Sequence, residues 1–191
     1  MDAYFAARHS DLLHLEAATA LYPAEVAEWI ERHGRPWDLV IAHPPCTYLA
    51  NSGVRWLHTD PTRWAKMLDG ADFFRLMWDF KTPRLCVENP VQHRYAVERH
   101  GMGRPHQTVQ PWQFGHLETK RTAYWLRGLP PLAETDNVKA AFDATPVAQR
   151  SRIHYASPSP DRWKLRSTSY AGIAAAMADQ WGALLERGCP R

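Results

Sequence analysis

A cysteine on a turn and a glutamate at a strand end are the two residues of this chain best placed to do chemistry. Cys46 closes the run His43-Pro44-Pro45-Cys46, which follows the apolar stretch of residues 37–42. Further along, residues 84–88 form a second apolar stretch that ends in Glu88-Asn89-Pro90. Two prolines shape the turn that carries the thiol, and a thiolate is a strong nucleophile towards an electron-poor ring. A carboxylic acid nearby supplies a proton or a hydrogen bond to that ring. The matching chemistry is conjugate addition to a pyrimidine: sulfur attacks C6, the acid holds N3, and the resulting enamine is nucleophilic at C5. C5 then takes a one-carbon unit, and loss of its proton and of the thiol restores the ring.

The two residues meet only if the elements that carry them lie side by side. Residues 37–42 read as a buried strand and residues 84–88 as another. Between them, residues 47–59 read as a loop with Asn51-Ser52-Gly53 at its centre. Residues 61–80 read as a long helix with Trp64, Met67, Leu68, Ala71, Phe74, Met77 and Trp78 at spacings of three and four. Strand, loop, helix and strand in this order predict a parallel crossover and an α/β sheet, in which ligands gather outside the carboxyl ends of the strands. Residues 23–33 predict a helix with Pro23 in its first turn and Gly34 as its stop, joined to the first strand over residues 34–36. Residues 1–22 are Ala-rich and read as helical, and residues 91–117 as irregular. Residues 121–126 predict a strand, residues 132–168 a loop region with short helices, and residues 170–187 a final helix capped by Ser or Thr. The expectation is a single α/β domain over 1–191, with 132–168 as a small insertion.

Taken in order, these pieces resemble the DNA cytosine-5 methyltransferases, in particular compact phage and prophage forms. Pro44-Pro45-Cys46 matches the family's nucleophile motif, and Glu88-Asn89-Pro90 resembles its Glu-Asn-Val motif. The segment 118–122, leading into Tyr124-Trp125-Leu126, occupies the place of a Gln-x-Arg-x-Arg strand, and the helix that begins Ser169-Tyr170-Ala171-Gly172 is similar to the final motif. The resemblance implies a Rossmann-like methyltransferase sheet with helices on both faces. It implies Cys46 as nucleophile, Glu88 as the N3 partner, and Lys120 and Arg121 as supporting catalytic cations. It implies S-adenosylmethionine as the cofactor, touched by Asp38, Pro44, Ser169 and Tyr170. DNA would be touched by Pro45, Asn51, Ser52, Arg55, Asn89, Thr122, Arg152, Arg162 and Lys164, with the target base flipped out of its stack. The sequence departs from the family at three places. Lys120 and Thr122 stand where the family has arginines, and the family's opening Phe-x-Gly-x-Gly turn is missing, since the first glycine here is Gly34. The cofactor half is therefore truncated or divergent, or a second polypeptide supplies it.

Composition narrows the alternatives. Three cysteines, at 46, 86 and 189, lack metal-type spacing and make no disulfide framework, and the ten histidines show no ligand pattern, so no metal is expected. No stretch is long and apolar enough for a membrane span, and the expected location is the cytoplasm of a bacterial host or phage-infected cell. The net charge is only +3, but residues 151–170 gather Arg152, Arg162, Lys164 and Arg166 among Tyr155, Trp163 and Tyr170, a composition that suits nucleic acid. Cys86 reads as inert core, and His43 as a packing or hydrogen-bonding residue rather than a base. Gly101-Met102-Gly103 lacks the strand and helix that a phosphate loop needs. Two other functions remain open: a catalytically impaired DNA-binding remnant or subunit of a split methyltransferase, and a nucleotide-level enzyme with a folate one-carbon donor, using Arg150, Arg152 and Arg162 for phosphate.

Overall fold

The protein is seen in a computed structural model that describes residues 13–15, 37–157, 159 and 162–188, and the side chains of these except at 13–15, 163–165 and 186–188. The expected helix over 23–33 and its connection over 34–36 lie outside the described residues. The chain divides into two compact units: one holds the described residues of 11–107 and 123–129, the other those of 108–122 and 130–191. The 132–168 stretch, expected as an insertion, thus shares a unit with residues 108–122 and the last helix.

The fold is α/β. Five strands, β1 Leu13–Leu15, β2 Val40–Ala42, β3 Leu85–Pro90, β4 Gln107–Val109 and β5 Thr122–Arg127, make one sheet in the order β1-β2-β3-β5-β4. β1, β2 and β3 run parallel, with Val40 opposite Leu85 and Ala42 opposite Val87. β2 and the first three residues of β3 are buried, as expected of strands covered on both faces, which is why they read as unbroken apolar runs. β1 corrects the helical reading of residues 1–22 at Leu13–Leu15.

In the first unit, helix α1 (Thr62–Trp78) lays Met67, Ala71, Phe74 and Met77 on the core, with Trp64 and Trp78 packed at its margin. Leu68 belongs to the same apolar pattern yet is exposed. Phe74 meets Trp125 of β5 edge-on at 4.9 Å, a geometry that the ring quadrupoles favour. Where the sequence read as irregular, helix α2 (Arg94–His100) follows β3 and stops at Gly101, whose φ of 70° is easy only for glycine. Asn51–Leu57, expected as an open loop, is a 3-10 helix with Leu57 buried beneath it.

The second unit holds the short helices α3 (Lys139–Ala144), α4 (Val147–Arg150) and α5 (Arg162–Ser167), and the long α6 (Ala171–Gly188). α6 buries Ile173, Ala174, Met177 and Trp181. Gly172 starts this packing: a Cβ there would sit 2.0 Å from the Phe114 carbonyl oxygen, so only glycine fits. Among the described residues no helix is long and apolar enough to cross a membrane.

Candidate active site

The register of β2 and β3 brings the first two site residues together. One step beyond the Ala42–Val87 pair, His43 faces Glu88, and His43 Nδ1 is hydrogen-bonded to Glu88 Oε2. Both side chains are mostly covered, at 20% and 17% exposure. Behind Glu88 on the same face of β3 stands Cys86. Burial first, and the Glu88 charge second, push the Cys86 thiol well up, so it is protonated and unreactive. Tyr124 on β5 is pushed up by the same burial, with Glu88 and Cys86 adding to the effect. Glu88 thus stands at a carboxyl strand end with a neutral floor beneath it and one imidazole beside it.

The turn that carries Cys46 is held on both sides. Upstream, Asn89 Nδ2 donates to the Pro44 carbonyl at 2.9 Å. Gln92 Nε2 donates to Asn89 Oδ1 at 3.2 Å, and His100 Nε2 bonds Gln92 Oε1 at 2.8 Å. The Met102 N–H donates to His100 Nδ1, so the Nε2 atom carries the imidazole proton and His100 is neutral. Downstream, His93 Nε2 bonds the Tyr48 carbonyl at 2.8 Å, while the Ala96 N–H donates to its Nδ1. Backbone bonds from Asn51 to Val91 and from His93 to Leu49 complete the grip. The Leu49 and Ala50 N–H groups both donate to the Cys46 carbonyl, winding the turn so that Cys46 is half-buried rather than sealed in the core. Asn89, Gln92, His93 and His100 are all buried, and polar groups are buried at little cost only when paired in this way.

The remaining expected site residues fall into two sets. In the first unit, Pro44 is buried, while Pro45, Asn51, Ser52 and Arg55 are exposed along the turn and the 3-10 helix. Asp38 is exposed at the amino end of β2, the opposite end from Pro44 and Cys46. Asn89, expected to touch DNA, is 1% exposed and grips Pro44 and Gln92.

In the second unit, Lys120 Nζ donates to the Thr168 carbonyl at 2.9 Å and lies over the Tyr170 ring, and Arg121 is exposed. Thr122 is buried and its hydroxyl donates to the Lys120 carbonyl. Tyr170 donates to Glu118 Oε2 at 2.8 Å, and Arg152 donates to Glu118 Oε1 at 2.6 Å. Burial, then this bond to Glu118, hold the Tyr170 hydroxyl above its ordinary range. Ser169 and Arg162 are half-buried, and the Lys164 side chain lies outside what is described.

Cations and rings also line the stretch after Cys46. Arg63 lies 4.7 Å and Lys66 5.8 Å from the Tyr48 ring centre, and Arg55 lies 4.6 Å from that of Trp56, a side chain with 47% exposure. Arg94 stacks on Tyr95, which meets Trp64 and His58 edge to face. Such a surface offers charge to phosphates and flat faces to bases. Among the described residues no cluster of three His, Cys, Asp or Glu is arranged to hold a metal.

The sequence reading missed Gln92, His93 and His100, the residues that steady the turn. Their nearness to Glu88-Asn89-Pro90 in sequence was the available signal. No family model and no curated protein matches this chain.

Proposed function

We propose that this chain carries the base-attacking half of a DNA cytosine-5 methyltransferase on a Rossmann-like sheet. The observation behind it is the pairing of a clamped, half-buried Cys46 turn with Glu88 at the end of the neighbouring strand. Cys46 Sγ, as thiolate, forms a bond to C6 of a flipped cytosine. The C5–C6 π electrons move toward C4, and N3 takes a proton from the Glu88 carboxyl. C5 is then electron-rich and takes an electrophile from outside the ring. Loss of the C5 proton, return of the N3 proton and departure of the thiolate restore aromaticity. The cation-and-ring surface after Cys46 suits DNA as the macromolecule that presents the base.

S-adenosylmethionine would supply a methyl group as that electrophile. The described residues do not fit it as a cradle: Asp38 stands at the wrong end of β2, and the Tyr170 hydroxyl is engaged by Glu118. The donor must then be gripped by residues 1–36 or by a second polypeptide. This favours a second reading, a subunit of a split enzyme that binds DNA without holding the cofactor alone. The nucleotide-level alternative is weakened, because Arg150 bonds the Phe142 carbonyl and Arg152 bonds Glu118.

Tritium release from DNA carrying 5-tritiated cytosine tests the reading, because addition at C6 loosens the C5 hydrogen even without a methyl donor. Release is expected from the wild type, none from Cys46→Ser, and at least a hundredfold less from Glu88→Gln. Undiminished release from Cys46→Ser overturns the proposal. Release from free deoxycytidylate but not from DNA selects the nucleotide-level enzyme. Calorimetry with S-adenosylmethionine and the lone chain separates an intact cofactor site from a split one.

A further inference from the structure

We infer that His43 is a positioning residue for Glu88: it holds one carboxylate oxygen so that the other faces the ring, and it shares the proton that Glu88 must deliver. The inference deepens the reading above and rests on it for the identity of the ring. Its own basis is geometric. His43 and Glu88 are neighbours across a parallel ladder, their side chains are in direct hydrogen-bond contact, and both are mostly shielded from water. The other titratable groups that act on Glu88 are Cys86 from its own strand and Tyr124 from β5. Both are buried and held protonated, so neither exchanges a proton with it near neutrality. His43 is the neighbour that can.

The consequence concerns proton supply. Addition of sulfur to C6 places an electron pair on N3, which must be met by a proton. A lone glutamate is ordinarily ionised near neutral pH, whereas an imidazole ordinarily keeps its proton about two pH units higher. A histidine–glutamate pair that holds one proton between them can pass it to N3 through Glu88 and recover it when the ring is released. No net proton is consumed in the cycle. The same bond fixes the carboxylate's rotation, and an error of about 1 Å at such a group costs about a hundredfold in rate.

Two kinds of variant separate these effects. His43→Ala removes both the bond and the proton, and tritium release should fall about a hundredfold. His43→Gln keeps a hydrogen-bond donor but cannot titrate. It should recover most of the loss at low pH, while the alkaline limb of its pH–rate profile moves to lower pH than in the wild type. Identical wild-type and His43→Gln profiles overturn the proton-sharing role, and undiminished release from His43→Ala overturns the positioning role. A readout without activity keeps this distinct from the function itself. In full-length protein with labelled imidazoles, the NMR titration of His43 should move to lower pH in Glu88→Gln. An unmoved His43 titration sinks the inference even if the enzyme methylates DNA, and a moved one supports the pairing even if it does not.

Discussion

Polar side chains hold both units together locally, but in opposite ways. In the first unit, Asn89 and His93 reach main-chain oxygens of the Cys46 turn from buried positions, backed by Gln92 and His100. In the second, Glu118 joins Tyr170 and Arg152, and the Arg152 side chain is 59% exposed. The first arrangement fixes the path of a backbone, and breaking it leaves buried groups unpaired. The second is a charged contact that water and salt can replace. Where the chain needs a thiol in one place, it uses neutral buried amides and imidazoles, not ion pairs.

The sharpest way to break this contrast is Asn89→Ala. It removes the donor to Pro44 and the acceptor from Gln92 and leaves a small cavity. A loss of about 3 kcal/mol is expected by urea denaturation, with the Cys46 thiol reacting faster with a disulfide reagent in the native state. Acid should strain the same region. His100 is held down to about 4 by burial and, secondarily, by Arg75. The unfolded chain takes up a proton as pH falls through about 6.5, and the folded one resists until about 4. The contribution from this group is therefore constant above 6.5 and declines towards 4, by about 2 kcal/mol once some solvent access is allowed for. Denaturation midpoints followed with pH should show the decline, and His100→Asn should flatten it.

In the second unit the largest effect should come from packing. Gly172→Ala drives a methyl into the Phe114 carbonyl and should cost about 2 kcal/mol by thermal melting. Glu118→Gln should be the mildest change, under about 1 kcal/mol and shrinking as salt is raised. If Glu118→Gln proves as costly as Asn89→Ala, the contrast between the two units fails.

The parts of this fold legible in the sequence are those set by local pattern. Residues 37–42 and 84–88 announced themselves as buried strands because both faces of each are covered, and they place Cys46 and Glu88 at strand ends. The observed strands differ only in their limits, Val40–Ala42 and Leu85–Pro90. β1 was not legible, because three residues are too few for a period to show. α2 was hidden by its cap: His93 accepts the Ala96 N–H in a role more often filled by Ser, Thr, Asp or Asn. The 3-10 helix at Asn51–Leu57 was hidden by Asn, Ser and Gly, which read as loop until backbone bonds to Val91 pin them. Asn89 and Thr122 were assigned outward roles by motif position, yet both point into protein. Facing is decided by strand register, which a motif does not carry.

One neighbour of the clamp bears on its durability. Asparagine ages when the backbone nitrogen of the following residue attacks its side-chain amide, closing a succinimide that opens to aspartate. The residue after Asn89 is Pro90, whose ring nitrogen carries no hydrogen to lose, so that route is closed at the side chain steadying the cysteine turn. Asn51, exposed and followed by serine, has no such protection. As the protein grows old, its clock should run on the surface helix while the nucleophile's support stays chemically young.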